Sequence, residues 1–308
     1  MSQPDRRPAT ISRGAARWLR PGKGALVLPP LAFVGVLLLL PVAFIALYSV
    51  GLRTNIPGMP TAFSLSNWSD FVVGGGSAFR SRFVYSMEIA IVVSVLTTIA
   101  AYPLAYFLAF VARRRRYALL LVLLAPFFTS YLLRVIAWQI ILNNNGVVNS
   151  LLWTLHLRPH GSAISWLIYS NFSVALVLFY TWIPFVSLPI FVVLENMDHR
   201  LQEAAADLGA SRAATFWRVT LPLSLPGVIA GFVFVLIPTT GEFITPLLVG
   251  GPNNQLFGNS IQAFFGDTPN WNYGSVLAIA LIVVVIVLTL VFGRFLQTDL
   301  RTETRAEQ

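Results

Sequence analysis

Of the 308 residues, 56% are hydrophobic and only 11% charged, with a mean hydropathy of +0.73; a soluble domain carries about 25% charged residues, so that class is excluded. The net charge of +9 does not mark a nucleic-acid binder, because the basic residues cluster between apolar runs and do not cover a soluble face. Cysteine is absent, and His156 and His160 fall in one loop and His199 in another without a metal-ligand pattern; the lack of cysteine excludes disulfides, thiolate catalysis and cysteine metal sites.

The chain opens on a basic segment, 1–25, holding Arg6, Arg7, Arg13, Arg17, Arg20 and Lys23. The apolar run from Leu26 to Val50 is longer than a signal-peptide core of about 7–15 residues and reads as a retained anchor. Six runs reach the roughly 20 apolar residues needed to cross a bilayer: 26–50, 84–111, 118–142, 166–194, 225–249 and 273–297. They lack the alternation of barrel strands, and lipid satisfies no backbone group, so each is expected to be helical. Together they make one membrane domain, 26–297, followed by a short tail, 298–308.

Orientation follows from the 21 basic residues. Six lie in the N-terminal segment, four in the 112–117 loop (Arg113 to Arg116), three in the 195–222 loop, and three at the C-terminal end (Arg294, Arg301, Arg305). The remaining loops hold Arg53, Arg80, Arg82 and Arg158, and Arg134 lies inside a span. The positive-inside rule therefore puts both termini and the 195–222 loop in the cytoplasm. Trp68, Trp166 and Trp271, near the outer ends of spans, suit interfacial anchoring.

The 195–222 loop is the longest cytoplasmic connection. Asp198 suits the cap of a short helix whose apolar positions are Leu201, Ala204, Ala205 and Leu208, and Gly209 suits the left-handed position after its end. Ser211 suits the cap of a second helix, expected to stop at Pro222. Glu203-Ala204-Ala205, three residues, Gly209, nine residues, then Val219-Thr220-Leu221-Pro222 resembles the EAA motif of ABC-importer permeases, with valine for isoleucine as the departure.

The resemblance extends from Tyr85 to Val291. It is carried by Ala101-Tyr102-Pro103-Leu104-Ala105-Tyr106, by Ala125 to Trp138 with Asn144-Asn145-Gly146 and Asn149, and by Gly241-Glu242-Phe243-Ile244-Thr245-Pro246 ending in Gly250-Gly251. It is most similar to the B-type permeases of spermidine/putrescine importers; related branches move thiamine, iron(III) or sulfate. The resemblance implies an all-α, six-helix type I importer permease, not an enzyme, working beside a paralogous permease subunit in a heterodimer. It also implies two copies of an ATP-binding subunit that hold ATP and Mg2+, and an extracytoplasmic solute-binding protein. In such importers Glu203, Ala204, Ala205, Asp207, Leu208, Gly209, Leu221 and Pro222 would form the coupling element that meets the ATPase. No cofactor is expected on this chain itself: Lys23, the sole lysine, is followed by Gly24 and lacks the phosphate-binding G-x-x-x-x-G-K-[ST] pattern.

Ionisable residues inside spans are costly and point to function. Glu88, Arg134 and Glu242 fall in the outer halves of their spans, and Asp70 and Asp267 in outer loops. Glu88, Glu242 and Asp267 would make a cation-attracting mouth; the alternative is an ion pair between Arg134 and a glutamate. Tyr131, Arg134 and Trp138 share a helix face by spacing, and the aromatic rings would suit an ammonium group. Pro238, Gly241 and Pro246 are positioned to break the fifth span, which would turn Glu242 to the protein interior. A rival class, the ion-coupled secondary transporter, would use Glu88 and Glu242 as a proton relay, but the inverted repeats it predicts are not visible.

Overall fold

The computed structural model describes residues 21–51, 63–74, 76–112, 114–198, 200–266 and 270–306, with side chains over the part from 28 to 294. Arg113, His199 and Asp267 lie outside the described residues. All regular structure among the described residues is helical. The α-helices are α1 (Pro21–Ser49), α2 (Ser66–Val72), α3 (Ser77–Tyr106), α4 (Arg116–Leu124), α5 (Tyr131–Leu142), α6 (Val147–Thr154), α7 (Asn171–Glu195), α8 (Arg200–Asp207), α9 (Arg212–Thr215), α10 (Leu221–Thr240), α11 (Phe257–Phe265) and α12 (Trp271–Ala306).

Five helices are long and apolar enough to cross a membrane, and the count rises to six if the third predicted span, a bent pair, is one crossing. That span, expected as a single helix over 118–142, is instead two pieces bent by 85°, Arg116–Phe128 and Tyr131–Thr154. Pro126 helps account for the break, because the 3-10 turn Ala125–Phe128 leads into an extended Thr129 and the α-ladder is not carried across. The expected stop at Pro222 is likewise corrected. The helix that begins at Arg212 continues through Pro222 to Thr240. A π turn over Phe216–Thr220 precedes the proline, and the Leu221 N–H bonds the Phe216 carbonyl five residues back. The ladder has shifted register before the residue that cannot donate arrives.

The fifth predicted span, 225–249, ends early. α10 stops at Thr240, three residues depart from the helix, and the chain re-enters as a short turn containing the π segment Pro246–Gly250. The breakers Gly241 and Pro246 flank this interruption, as the sequence pattern anticipates.

The core is the mutual packing of α3, α7 and α10, centred on Val93, Ala101, Val177, Leu178, Val186, Ile190 and Val235, all fully buried. Hydrophobicity does not discriminate protein from lipid as a neighbour, so close approach has to come from small residues. Gly227 and Gly231, one turn apart on α10, meet α7 at Pro189 and Val186. A methyl group on Gly227 would lie 2.8 Å from the Pro189 carbonyl oxygen, and one on Gly231 would lie 2.9 Å from Val186 Cγ1. α1 and α12 pack on each other at the periphery, with α12 also against α10, and leave broad apolar faces outward.

Contacts also sort the loops into two ends. At one end Arg116 pairs with Glu195 at 2.8 Å, and the Tyr117 hydroxyl donates to the same carboxylate at 2.6 Å. The 112–117 and 195–222 connections, which carry seven of the arginines between them, therefore share an end. At the other, Tyr85 bonds Asn171, Arg82 donates to Ser260 Oγ at 3.1 Å, and the Phe257 N–H donates to Ser86 Oγ at 2.6 Å. Replacing Gly227 with valine is expected to lower stability by about 1–3 kcal/mol through overpacking; thermal unfolding of the purified protein in detergent checks this, and an unchanged midpoint would show that α7 and α10 do not depend on this approach.

Candidate functional site

Two regions answer to the residues singled out by sequence. The first surrounds the interruption after α10. Irregular backbone at membrane depth needs partners for its carbonyls, and side chains from four other places supply them. Gln139 on α5 donates to the Leu248 carbonyl at 2.9 Å, Ser173 on α7 to Val249 at 2.6 Å, Asn254 to Gly250 at 2.8 Å, and Asn259 on α11 to Phe243 at 2.8 Å. These four polar residues were not singled out from the sequence. Gln139 left a trace there, as an amide inside the third apolar run; serine and asparagine at the other positions are common enough in loops and helix starts to carry no signal.

Glu242 sits within the interruption, half-buried, and its Oε1 accepts the backbone N–H groups of Ile244 at 2.9 Å and Thr245 at 3.1 Å. The carboxylate thus caps the re-entrant turn with charge-assisted hydrogen bonds. From the start of α5 the Tyr131 hydroxyl meets Thr245 Oγ1 at 2.5 Å and interacts electrostatically with both Glu242 and Arg134. The two broken spans therefore meet at Glu242, Thr245, Tyr131 and Arg134.

Arg134 forms no ion pair with a glutamate among the described residues, so the alternative of a structural pair is not found. Its guanidinium lies 5.7 Å from the centre of the Phe127 ring and 5.8 Å from that of Tyr131, and its Nε is buried without a hydrogen-bond partner. Phe127 continues into an aromatic row: Phe185 at 4.6 Å, then Phe234 stacked on Phe185 at 5.5 Å, with Trp182 touching both. Trp182 Nε1 is also buried and unpaired. Trp182 and Phe234, with Ala230, Val233, Ile237 and Pro238, line a cavity of about 400 Å3 one helical turn before the interruption.

The other expected pathway residues are not brought to this cluster. Trp138, although it shares the α5 face, packs edge-on against Tyr180 at 5.4 Å within the hydrophobic core. Glu88 is exposed on α3, where its charge acts on Tyr85. Asp267, the third carboxylate of the expected mouth, lies outside the described residues.

The second region is the elbow at the end of the molecule marked by Glu195. The Arg200 N–H donates to Asp198 Oδ1 at 2.9 Å, and the Ala214 N–H to Ser211 Oγ at 3.2 Å, so both expected caps are made. Gly209 has φ +81°, and the Gly209 and Ala210 N–H groups return to Ala206 and Ala205 at 2.9 and 3.0 Å. This closure satisfies the last carbonyls of α8 and reverses the chain. Gln202 ties α8 to the following segment through Thr220 Oγ1 at 3.3 Å. Glu203, Ala204, Asp207 and Leu208 project outward, Leu208 at 88% exposure, whereas Leu221 and Pro222 belong to α10 and stand behind this surface. A leucine so exposed on a short, tightly closed elbow, framed by small and acidic residues, suits insertion into a groove on another protein.

Residues 71–301 match the family described as binding-protein-dependent transport system inner membrane component. The chain is 31% identical over 242 residues to the spermidine/putrescine transport system permease protein PotB of Escherichia coli K12, an alignment covering 79% of this chain and 86% of that protein. It is 34% identical over 209 residues to PotB of Haemophilus influenzae, covering 68% and 72% of the two chains. Its fold superposes with a TM-score of 0.66 on a chain of a bacterial ABC transporter that imports the acidic polysaccharide alginate, over 90% of this chain and 95% of that one at 17% identity. By its matched length and its identity to these relatives, the chain belongs to the family of inner membrane components of binding-protein-dependent transport systems.

Proposed function

We propose that the chain is one permease subunit of an ATP-driven importer of polyamines. The observation that carries this reading is the outward elbow Arg200–Ser211, a ready docking element, in a chain whose relatives include spermidine/putrescine permeases. On this reading the molecule crosses the membrane six times, the bent third span counting once, with both termini in the cytoplasm. A paralogous permease completes the pathway, two ATP-binding subunits carry ATP and Mg2+ below, and an extracytoplasmic binding protein delivers the solute. Closure of the ATPases would draw the elbows of the two permeases together, and the continuous helix from Arg212 through Pro222 into α10 would pass that displacement to the interruption at Glu242.

The polar cluster suits an ammonium solute in two respects. Glu242 supplies a carboxylate held in a fixed orientation by the turn it caps, and Phe185, Phe234 and Trp182 supply aromatic surface on which alkylammonium groups are held at about 0.5–2 kcal/mol each. One observation favours a second reading, an anionic solute: Arg134 stands in the same cluster with no ion-pair partner among the described residues. Uptake into membrane vesicles separates them. ATP-dependent accumulation of labelled putrescine or spermidine is expected, and accumulation of sulfate instead, or polyamine uptake that persists on an ion gradient without ATP, would overturn the proposal.

Two substitutions test the assigned residues. Glu203→Lys is expected to reduce co-purification of the ATPase while leaving the thermal stability of the permease unchanged, because Glu203 is exposed and makes no ion pair among the described residues; normal ATPase recovery with normal uptake would remove Glu203 from the interface. Glu242→Gln keeps an oxygen to cap Ile244 and Thr245 but removes the charge, so uptake is expected to fall about tenfold, equivalent to about 1.4 kcal/mol, with subunit assembly intact. Undiminished uptake by that variant would take the carboxylate out of the pathway.

A further inference from the structure

One groove is not used by either region above. It has a volume of about 420 Å3 and runs between the late part of α3 and the start of α10, lined by Ile99, Tyr102, Tyr106, Phe216, Trp217 and Leu221 among others. The walls are almost wholly apolar, and the hydroxyl of Tyr102 is turned inward to Ser224 at 2.9 Å, so the groove presents ring faces and aliphatic carbon. Its aromatic side is rigid: Phe216 meets Tyr102 at 5.7 Å and Tyr106 at 6.0 Å, both edge-on. Trp217 is left 66% exposed at the groove's edge.

Location and charge identify what fits there. Trp217 belongs to the segment that follows the elbow, and Tyr106 leads through the π turn Phe107–Val111 into the basic loop, so the groove opens at the end of the molecule that carries Arg114, Arg115 and Arg218. All three arginines are exposed and form no ion pair among the described residues; the pair at this end is Arg116 with Glu195. An apolar slot between helices, an indole at its edge, and three unneutralised guanidinium groups at the same end of the molecule match the parts of an anionic phospholipid: acyl chain, interfacial glycerol region and phosphate. We propose that this groove binds one anionic phospholipid of the cytoplasmic leaflet, with the acyl chain along Ile99, Tyr102, Phe216 and Leu221 and the phosphate held by Arg218, Arg114 and Arg115. The lipid lies directly against the π turn Phe216–Thr220, the joint between elbow and α10, and so is placed to stiffen it. This inference holds whatever solute the chain moves.

Native mass spectrometry of the full chain, in whatever assembly it purifies with from nanodiscs of equal parts phosphatidylglycerol and phosphatidylcholine, tests it. Preferential retention of phosphatidylglycerol is expected. Arg218→Gln should lower that retention about fivefold, the change equivalent to about 1 kcal/mol per basic residue at the membrane surface, while phosphatidylcholine retention stays as it was. Ile99→Trp, a change at a residue 65% exposed and therefore safe for folding, should fill the slot and lower retention of both lipids. Equal retention of the two lipids by the unmodified chain, or phosphatidylglycerol retention indifferent to both substitutions, would overturn the proposal. Loss of a bound protein subunit from Ile99→Trp with lipid retention unchanged would overturn it too, and would assign the groove to that subunit.

Discussion

Every irregular feature of this molecule answers to the cost of leaving a backbone hydrogen-bonding group unpaired in hydrocarbon. Uninterrupted helices meet that demand internally. The chain departs from the α-helical ladder at Phe107–Val111, at Ala125–Ser130, at Phe216–Thr220 and after Thr240. The π turn Phe216–Thr220 re-pairs its ladder one residue further back. The interruption after Thr240 is held by Gln139, Ser173, Asn254 and Asn259, which between them satisfy four carbonyls. Side chains from α5, α7, α11 and the 251–256 connection are thus committed to one short stretch.

That convergence explains why Glu242 is both structural and available. Its two accepted N–H bonds fix the carboxylate as the cap of the re-entrant turn, so its charge is oriented before any ligand arrives. The desolvation cost of holding a carboxylate inside a span is offset by those bonds and by the Tyr131 side. Arg134, close to the same tyrosine, is left with aromatic faces for neighbours and no carboxylate within ion-pair distance among the described residues. On the proposed reading, Glu242 and Arg134, at the meeting point of two broken helices, would set the preference for a solute by which of the two it neutralises.

The elbow and the interruption are mechanically joined. From Arg212 to Thr240 the helix is continuous, and Gly227 and Gly231, having no side chains of their own, let it approach α7 closely. A displacement applied at Leu208 or Glu203 therefore has a stiff lever to travel along. Its one compliant point is the π turn, where the ladder is already out of register, and the apolar groove lies against that point.

Much of this was legible in residue order. The apolar runs, the caps at Asp198 and Ser211, the left-handed Gly209 and the break around Gly241 depend on local chemistry, hydropathy and backbone stereochemistry, which the sequence by itself determines. The family resemblance was likewise carried by short, contiguous stretches. What only the tertiary structure decided is which partners those elements find. Hydropathy reads the third run as one span because it averages over the turn at Pro126, and proline rules read Pro222 as a stop because they do not see the register shift just before it. The separation of Glu88 and Trp138 from Glu242 has the same origin: periodicity tells which residues share a face of one helix, but whether that face meets another helix, the core or lipid is settled by packing between elements far apart in the chain.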